Sequence, residues 1–169
     1  IWAQQYNAQM EPAWARKFEP PSVTGGESVG VCRTLIDLYL ELGDERYLRA
    51  VEPAVKWYKK SAIGKGKWAR FYELKTNKPL YFTTDYKLVY TDDDLPTHYG
   101  FQSSFGVKSM IRYFEKVKSM GREKYLAPQK RKPPTAKQRA ARAKNMEKRV
   151  QAIIAAQDKK GRWMTRGRL

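Results

Sequence analysis

Apolar side chains return at Cys32, Leu35, Ile36, Tyr39 and Leu42, the three- and four-residue spacing of one helix face. Thr24-Gly25-Gly26-Glu27 precedes them with the Thr-x-x-Glu spacing of a capping box, and Gly43 supplies a stop. Asp44 then caps a second helix with a stripe of Tyr47 or Leu48, Val51, Val55 and Tyr58, in which Pro53 predicts a kink or a break. From Ala69 to Tyr90 the pattern shortens to alternating stretches, Leu80 and Phe82, then Leu88 and Tyr90. Thr76-Asn77-Lys78 and Thr84-Asp85-Tyr86 separate them, which predicts a small hairpin. Helix resumes after Ser103 or Ser104 with Val107, Met110, Ile111, Phe114 and Val117 on one side, and stops near Gly121.

Beyond this body, residues 128–135 form a basic, proline-rich linker with too little apolar surface to pack. Ala136 to Gln157 reads as a helix carrying Met146, Val150, Ile153 and Ile154 on one side, and Asp158 to Gly161 stops it before Trp163. The expected organisation is a body at 1–127, a linker at 128–135 and a basic helical extension at 136–169.

Charge sharpens that division. The formal charge is +17, and residues 129–169 hold fourteen Lys and Arg against only Glu147 and Asp158, which leaves the body mildly basic. Such an extension attracts any polyanion in a salt-dependent way without choosing among polysaccharide, nucleic acid and anionic surface. The single cysteine, Cys32, excludes an intrachain disulfide and lies on an apolar stripe, as a buried structural thiol does. No apolar run approaches membrane-spanning length.

Two segments carry the candidate chemistry, Ala15-Arg16-Lys17-Phe18-Glu19-Pro20-Pro21-Ser22 and Trp68-Ala69-Arg70-Phe71-Tyr72-Glu73. In each, an arginine is followed at the third position by a glutamate across an aromatic residue. A guanidinium is a planar fork for a carboxylate, and a nearby anion holds that fork still, so the pair suits an acidic ligand. The plainer alternative is two ion pairs, Arg16 with Glu19 and Arg70 with Glu73. Lys67, Lys78 and Asn77 sit where further ligand contacts could form, although a lysine near a turn is ordinarily just solvated. Tyr72 either stacks on a sugar ring or fills the core. His98 has no histidine partner and takes no role, and Asp92-Asp93-Asp94 lacks the alternating spacing of an oxygen cage, which leaves it an exposed acidic loop.

Together with Gln4-Gln5-Tyr6 and Thr76-Asn77-Lys78-Pro79-Leu80, the two arginine segments resemble the catalytic domain of family 10 pectate lyases, the pectic acid lyases, from about Trp2 to about Leu80. The resemblance implies a mainly α fold, the C-terminal part of an α/α toroid with a small β-hairpin insertion. It implies cleavage of polygalacturonate by calcium-assisted β-elimination, with Arg16 as the catalytic base and Arg70 binding a substrate carboxylate. Lys78 and Tyr72 would add substrate contacts, and Lys87 would stand at an offset for a basic residue the family carries in its hairpin region. Calcium is the implied cofactor, its ligands expected upstream of Ile1 and none within this chain. A secreted or periplasmic monomer acting on pectin is expected, its signal peptide upstream, with no membrane and no specific nucleic acid as partner; the chain alone would be inactive. Two rivals remain: a non-catalytic pectin binder, and a nucleic-acid-binding module driven by residues 129–169.

Overall fold

The structure is a computed structural model that describes residues 1–127 and 134–163, which fall into two separate units. In the first unit the chain runs through strand β1 (Val23–Thr24), helices α1 (Glu27–Leu42) and α2 (Glu45–Lys60), and strands β2 (Trp68–Ala69), β3 (Phe71–Tyr72), β4 (Pro79–Phe82), β5 (Leu88–Val89) and β6 (Gln102–Ser103). Helices α3 (Val107–Met120) and α4 (Arg122–Leu126) close it. Antiparallel pairing gives a four-stranded sheet in the order β1-β3-β4-β5 and a two-stranded sheet of β2 and β6.

This small mixed α/β arrangement corrects the expectation of a mainly α toroid segment. A toroid stacks helix pair upon helix pair, whereas here one pair, α1 and α2, is followed by strands before helix returns at Val107. The aromatic side chains between them account for the difference. Phe71, Tyr72, Leu80, Tyr81, Phe82 and Phe101 are buried together with Phe18 and Ala69 in a core of their own, beside the helical core of α1, α2 and α3. Trp57 packs against both cores. Strands that bury aromatics on the sheet need no helical partner layer there.

Within the helices most periodic positions lie where their spacing put them, whereas Leu42, expected on the same face of α1, is exposed. Cys32, Ile36 and Tyr39 on α1, Val51, Val55 and Tyr58 on α2, and Val107, Met110, Phe114 and Val117 on α3 are all buried. Burial also pushes the Cys32 thiol up to about 11, which leaves it the inert, apolar role its position implied. Gly43 ends α1 in the left-handed conformation at φ 75°, and Arg122 donates to the carbonyls of Leu40 (2.7 Å) and Glu41 (3.0 Å), satisfying the last turn. Asp44 caps α2 by accepting from the Arg46 N–H at 2.9 Å. Helix α2 continues through Pro53, where a kink or break was expected. The Thr24–Glu27 capping box does not form: Thr24 is claimed by its pairing with Phe71 in the sheet, and the Glu27 carboxylate turns to Arg70.

One close approach joins the helical and sheet halves. Gly25 follows β1 and precedes α1; its N–H donates to the Arg70 carbonyl (2.8 Å), and its own carbonyl accepts from the buried Tyr58 hydroxyl (2.9 Å). A β-carbon here would lie 2.2 Å from the Ala69 carbonyl oxygen.

The second unit is described by itself. Helix α5 (Ala136–Ala155) carries a capping box, Thr135 with Gln138, and the chain then turns through Asp158, whose carboxylate accepts from Arg162. Met146, Val150, Ile153 and Ile154 are exposed on it. Residues 128–133 of the expected linker lie outside the described residues. Among the described residues, no helix is long and apolar enough to cross a membrane.

Because the obstructing atom is backbone, Gly25→Ala cannot be relieved by a rotamer change, and it should destabilise the first unit by roughly 3 kcal/mol. Thermal melting should show a clear drop in midpoint, whereas Gly30→Ala, at an exposed position of α1 with open space around it, should hold or raise it.

Candidate functional site

The two arginines singled out in the sequence are brought to one aromatic ring. Arg16 lies in the irregular segment before Pro20 and Pro21, and Arg70 at the step between β2 and β3. The guanidinium carbon of Arg16 stands 5.2 Å from the centroid of the Tyr99 ring, and that of Arg70 stands 4.8 Å from it. Each has a second aromatic neighbour, Phe18 for Arg16 (5.0 Å) and Phe105 for Arg70 (5.1 Å). These distances fall within the range of cation–π attraction, so both positive charges are drawn to one aromatic ring.

Each arginine is also anchored by a glutamate. Arg16 pairs with Glu19, three residues on, as the plainer reading supposed. Glu19 is 3% exposed, and its carboxylate further accepts from the Arg16 N–H (3.2 Å), Gln4 Nε2 (2.9 Å) and the Tyr99 hydroxyl (3.1 Å). The Arg16 hydrogen bond, against the cost of burial, holds the Glu19 carboxyl down to about 2, and the same bond raises the Arg16 guanidinium above its ordinary range. Burial likewise raises the Tyr99 phenol.

Arg70 departs from the expected pairing. Its carboxylate partner is Glu27 at the start of α1 (2.5 Å), not Glu73, and its Nε donates to the Gly100 carbonyl at 2.8 Å. The reason is strand geometry. Residues three apart in an extended chain point to opposite faces, so Arg70 and Glu73 diverge, and Glu73 accepts instead from Thr76 and from the Tyr90 hydroxyl (2.7 Å). Among the described residues no acceptor meets Nη2 of Arg70, or Nε and Nη1 of Arg16, which leaves both forks with donors to offer. The buried Oε2 of Glu27 and Oε1 of Gln4 have no partner.

The remaining candidates lie elsewhere. Tyr72 is 1% exposed, accepts from the Ala69 N–H (2.9 Å) and donates to the Ser61 carbonyl (2.6 Å), so it fills the core and offers no face to a sugar ring. Lys78 is exposed, with its ammonium 5.6 Å from the Tyr90 ring, and Lys87 is exposed in the turn after β4. Asn77 accepts from Trp57 Nε1 (2.7 Å) and donates to Ser61 (2.8 Å) in a left-handed turn, a structural role. His98 packs on Phe18 and Tyr86. Asp92 accepts from Gln102 and Asp94 from Thr84, and no group of three or more His, Cys, Asp or Glu among the described residues could hold a metal ion. The donors present therefore do not fit a calcium cage, which needs six or more oxygens converging on one point.

Tyr99 and Glu27 were missed from the sequence. The only local signal for Tyr99 was one aromatic before a glycine in a polar loop, and nothing near Glu27 pointed to an arginine so far along the chain.

The pairing fixes a pH dependence. An unfolded glutamate titrates near 4.5 and the folded Glu19 near 2, so its contribution to stability is complete above 4.5 and is lost as the pH falls from there through about 2. Since Arg16 is 59% exposed, the contribution is discounted to on the order of 2 kcal/mol. Glu19→Gln should therefore melt lower at neutral pH and show a flatter acid limb than the wild type in melts taken between pH 6 and pH 2.

The model of the pectic acid lyase family matches residues 1–67, less than half of the chain. The front of the chain is thus similar to pectic acid lyases, and Arg16 and Glu19 fall inside the match. The likeness read from the sequence ran on to about Leu80; Arg70 and Tyr99 lie beyond the matched stretch. No curated protein matches the chain.

Proposed function

We propose that the first unit is the uronate-gripping part of a lyase acting on polygalacturonate, with Arg16 and Arg70 receiving the carboxylates of the polymer. The observation that carries this reading is the convergence of two arginines on Tyr99, one of them within the stretch similar to pectic acid lyases. A guanidinium fork matches a carboxylate with two parallel hydrogen bonds, and both forks keep free donors.

In β-elimination a base takes the proton at C5, the C5–H electrons form the double bond to C4, and the bond from C4 to O4 breaks, O4 leaving with the electron pair and gaining a proton. The obstacle is the charge of the adjacent carboxylate, which makes C5–H a poor acid. A cation laid on that carboxylate stabilises the carbanion-like transition state, and preorganised charges do this without reorganisation. Arg16 and Arg70 are the charges this unit brings. Arg16 serves as such a cation while it is paired; to act as the base expected from the resemblance it must first leave Glu19, whose carboxylate favours the charged guanidinium. Calcium, the cofactor that the resemblance implies, would bind through residues outside those described. The basic second unit draws the polymer in by long-range attraction, weaker at high salt. On this reading the protein works outside the cell, where pectin is.

A second reading is favoured by the same ion pair. A site whose arginines are both anchored by carboxylates, with no free base beside them, can bind pectate without cutting it.

The test uses the full protein with polygalacturonate, following the ultraviolet absorbance of the unsaturated product with calcium and with chelator. Product formation, abolished by Arg16→Ala while polymer binding persists, is the expected outcome. Arg70→Lys should raise the apparent KM several-fold at little cost to kcat, because an ammonium cannot reproduce the fork. Polymer bound without any product establishes the binder instead, and full activity in Arg16→Ala removes Arg16 from the site.

A further inference from the structure

Residues 99–101 make four contacts to the arginine pair. The Tyr99 ring lies against both guanidinium groups, its hydroxyl donates to the Glu19 carboxylate (3.1 Å), the Gly100 carbonyl accepts from Arg70 Nε (2.8 Å), and the Phe101 carbonyl accepts from the Arg70 N–H (2.7 Å). Tyr99 is itself held between rings, its centroid 4.7 Å from Phe18 and 5.2 Å from Phe101. Phe101 is 2% exposed and anchors the segment in the sheet core.

We propose that Tyr99 is a positioning residue that fixes the spacing of Arg16 and Arg70, so that the two forks act together on an anionic oligouronate. The proposal rests on the pectate reading above and names a residue outside the stretch similar to pectic acid lyases. Two like charges at this separation repel, and without a common partner each side chain would take its own rotamers in solvent. The ring supplies the partner, since its π-system attracts both cations at once. The hydroxyl supplies the registration, because by bonding Glu19 it ties the ring to the same carboxylate that holds Arg16. Sequence position explains why one residue can do both: the Pro96–Gly100 loop crosses from β5 to β6, and β6 pairs with β2, immediately before Arg70.

The Nε–H resonances of Arg16 and Arg70 read the arrangement directly, because an aromatic ring shifts nuclei over its face. A galacturonate trimer, titrated into the full chain, reads its use. In the wild type the trimer should move both resonances along one binding curve. Tyr99→Phe keeps the ring and should retain both ring-current shifts and trimer affinity within about twofold, with the Glu19 carboxyl titrating higher for want of the hydroxyl. Tyr99→Leu should reduce the ring-current shifts of both arginines to the part that Phe18 and Phe105 supply, and weaken trimer binding roughly tenfold, the loss of two cation–π contacts. Arginine resonances unmoved by Tyr99→Leu, or equal trimer affinity in Tyr99→Leu and wild type, overturn the proposal. So does a wild-type titration in which the trimer moves one arginine alone, a result that needs no variant to fold. A wild type that binds no trimer at all, while Tyr99→Leu still shifts both resonances, instead fails the pectate reading on which the proposal rests.

Discussion

The approach of Gly25 to the β2–β3 step is the constraint on which the first unit depends. Its N–H meets the Arg70 carbonyl, its carbonyl meets the Tyr58 hydroxyl from the core of α2, and the space a side chain would need is filled by the Ala69 carbonyl. Three elements distant in sequence are tied at one residue, all by hydrogen bonds in surroundings that exclude water, where an unmade bond is expensive. The consequence reaches the site. Because α1 starts two residues after Gly25, Glu27 is delivered beside Arg70, and the arginine finds its carboxylate across 43 residues of chain.

Arg16 and Arg70 then differ in what their anchors permit. Arg70 is the more enclosed, 21% exposed against 59% for Arg16, and is fixed at two donors by Glu27 and Gly100. Arg16 is tied to a carboxylate that is itself deeply buried and further satisfied by Gln4 and Tyr99. A buried carboxylate with several donors is a stable anion, and a stable anion keeps its guanidinium protonated. The geometry thus favours a charged Arg16 over a neutral one able to take a proton. Any catalytic use of Arg16 as a base depends on a rearrangement that separates it from Glu19.

How far the sequence carried the fold depended on the range of the interactions involved. The faces of α1 and α3, the stop at Gly43 and the cap at Asp44 are local and periodic, and they were legible. The Thr24–Glu27 capping box was also legible as a pattern, yet it lost to two partners that no local window contains, Phe71 for Thr24 and Arg70 for Glu27. The toroid failed for a similar reason. It was inferred from the helices and from likeness over the front of the chain, while the stretch that decides the architecture, Trp68 to Ser103, encodes short strands whose buried aromatics pair across the sheet. At the site, Arg16 with Glu19 could be read at i, i+3; Arg70 could be singled out but not its partner, and Tyr72 was torn between core and sugar until its burial placed it in the core.

The two arginines also set a condition on any ligand that joins them. Their glutamates already offset much of the positive charge, so a monoanion gains little from the pair after losing its own water. Beside the forks stand buried oxygens with no donor, Oε2 of Glu27 and Oε1 of Gln4, which raise the local density of negative partial charge. Those oxygens are closed to solvent, so they act on a ligand through their charge and not as acceptors for its hydroxyl groups, and what the forks offer directly is their free guanidinium N–H groups. The anchored forks therefore meet a carboxylate in surroundings already rich in negative charge, and the gain from binding one rests on the geometry of the free N–H donors more than on net charge.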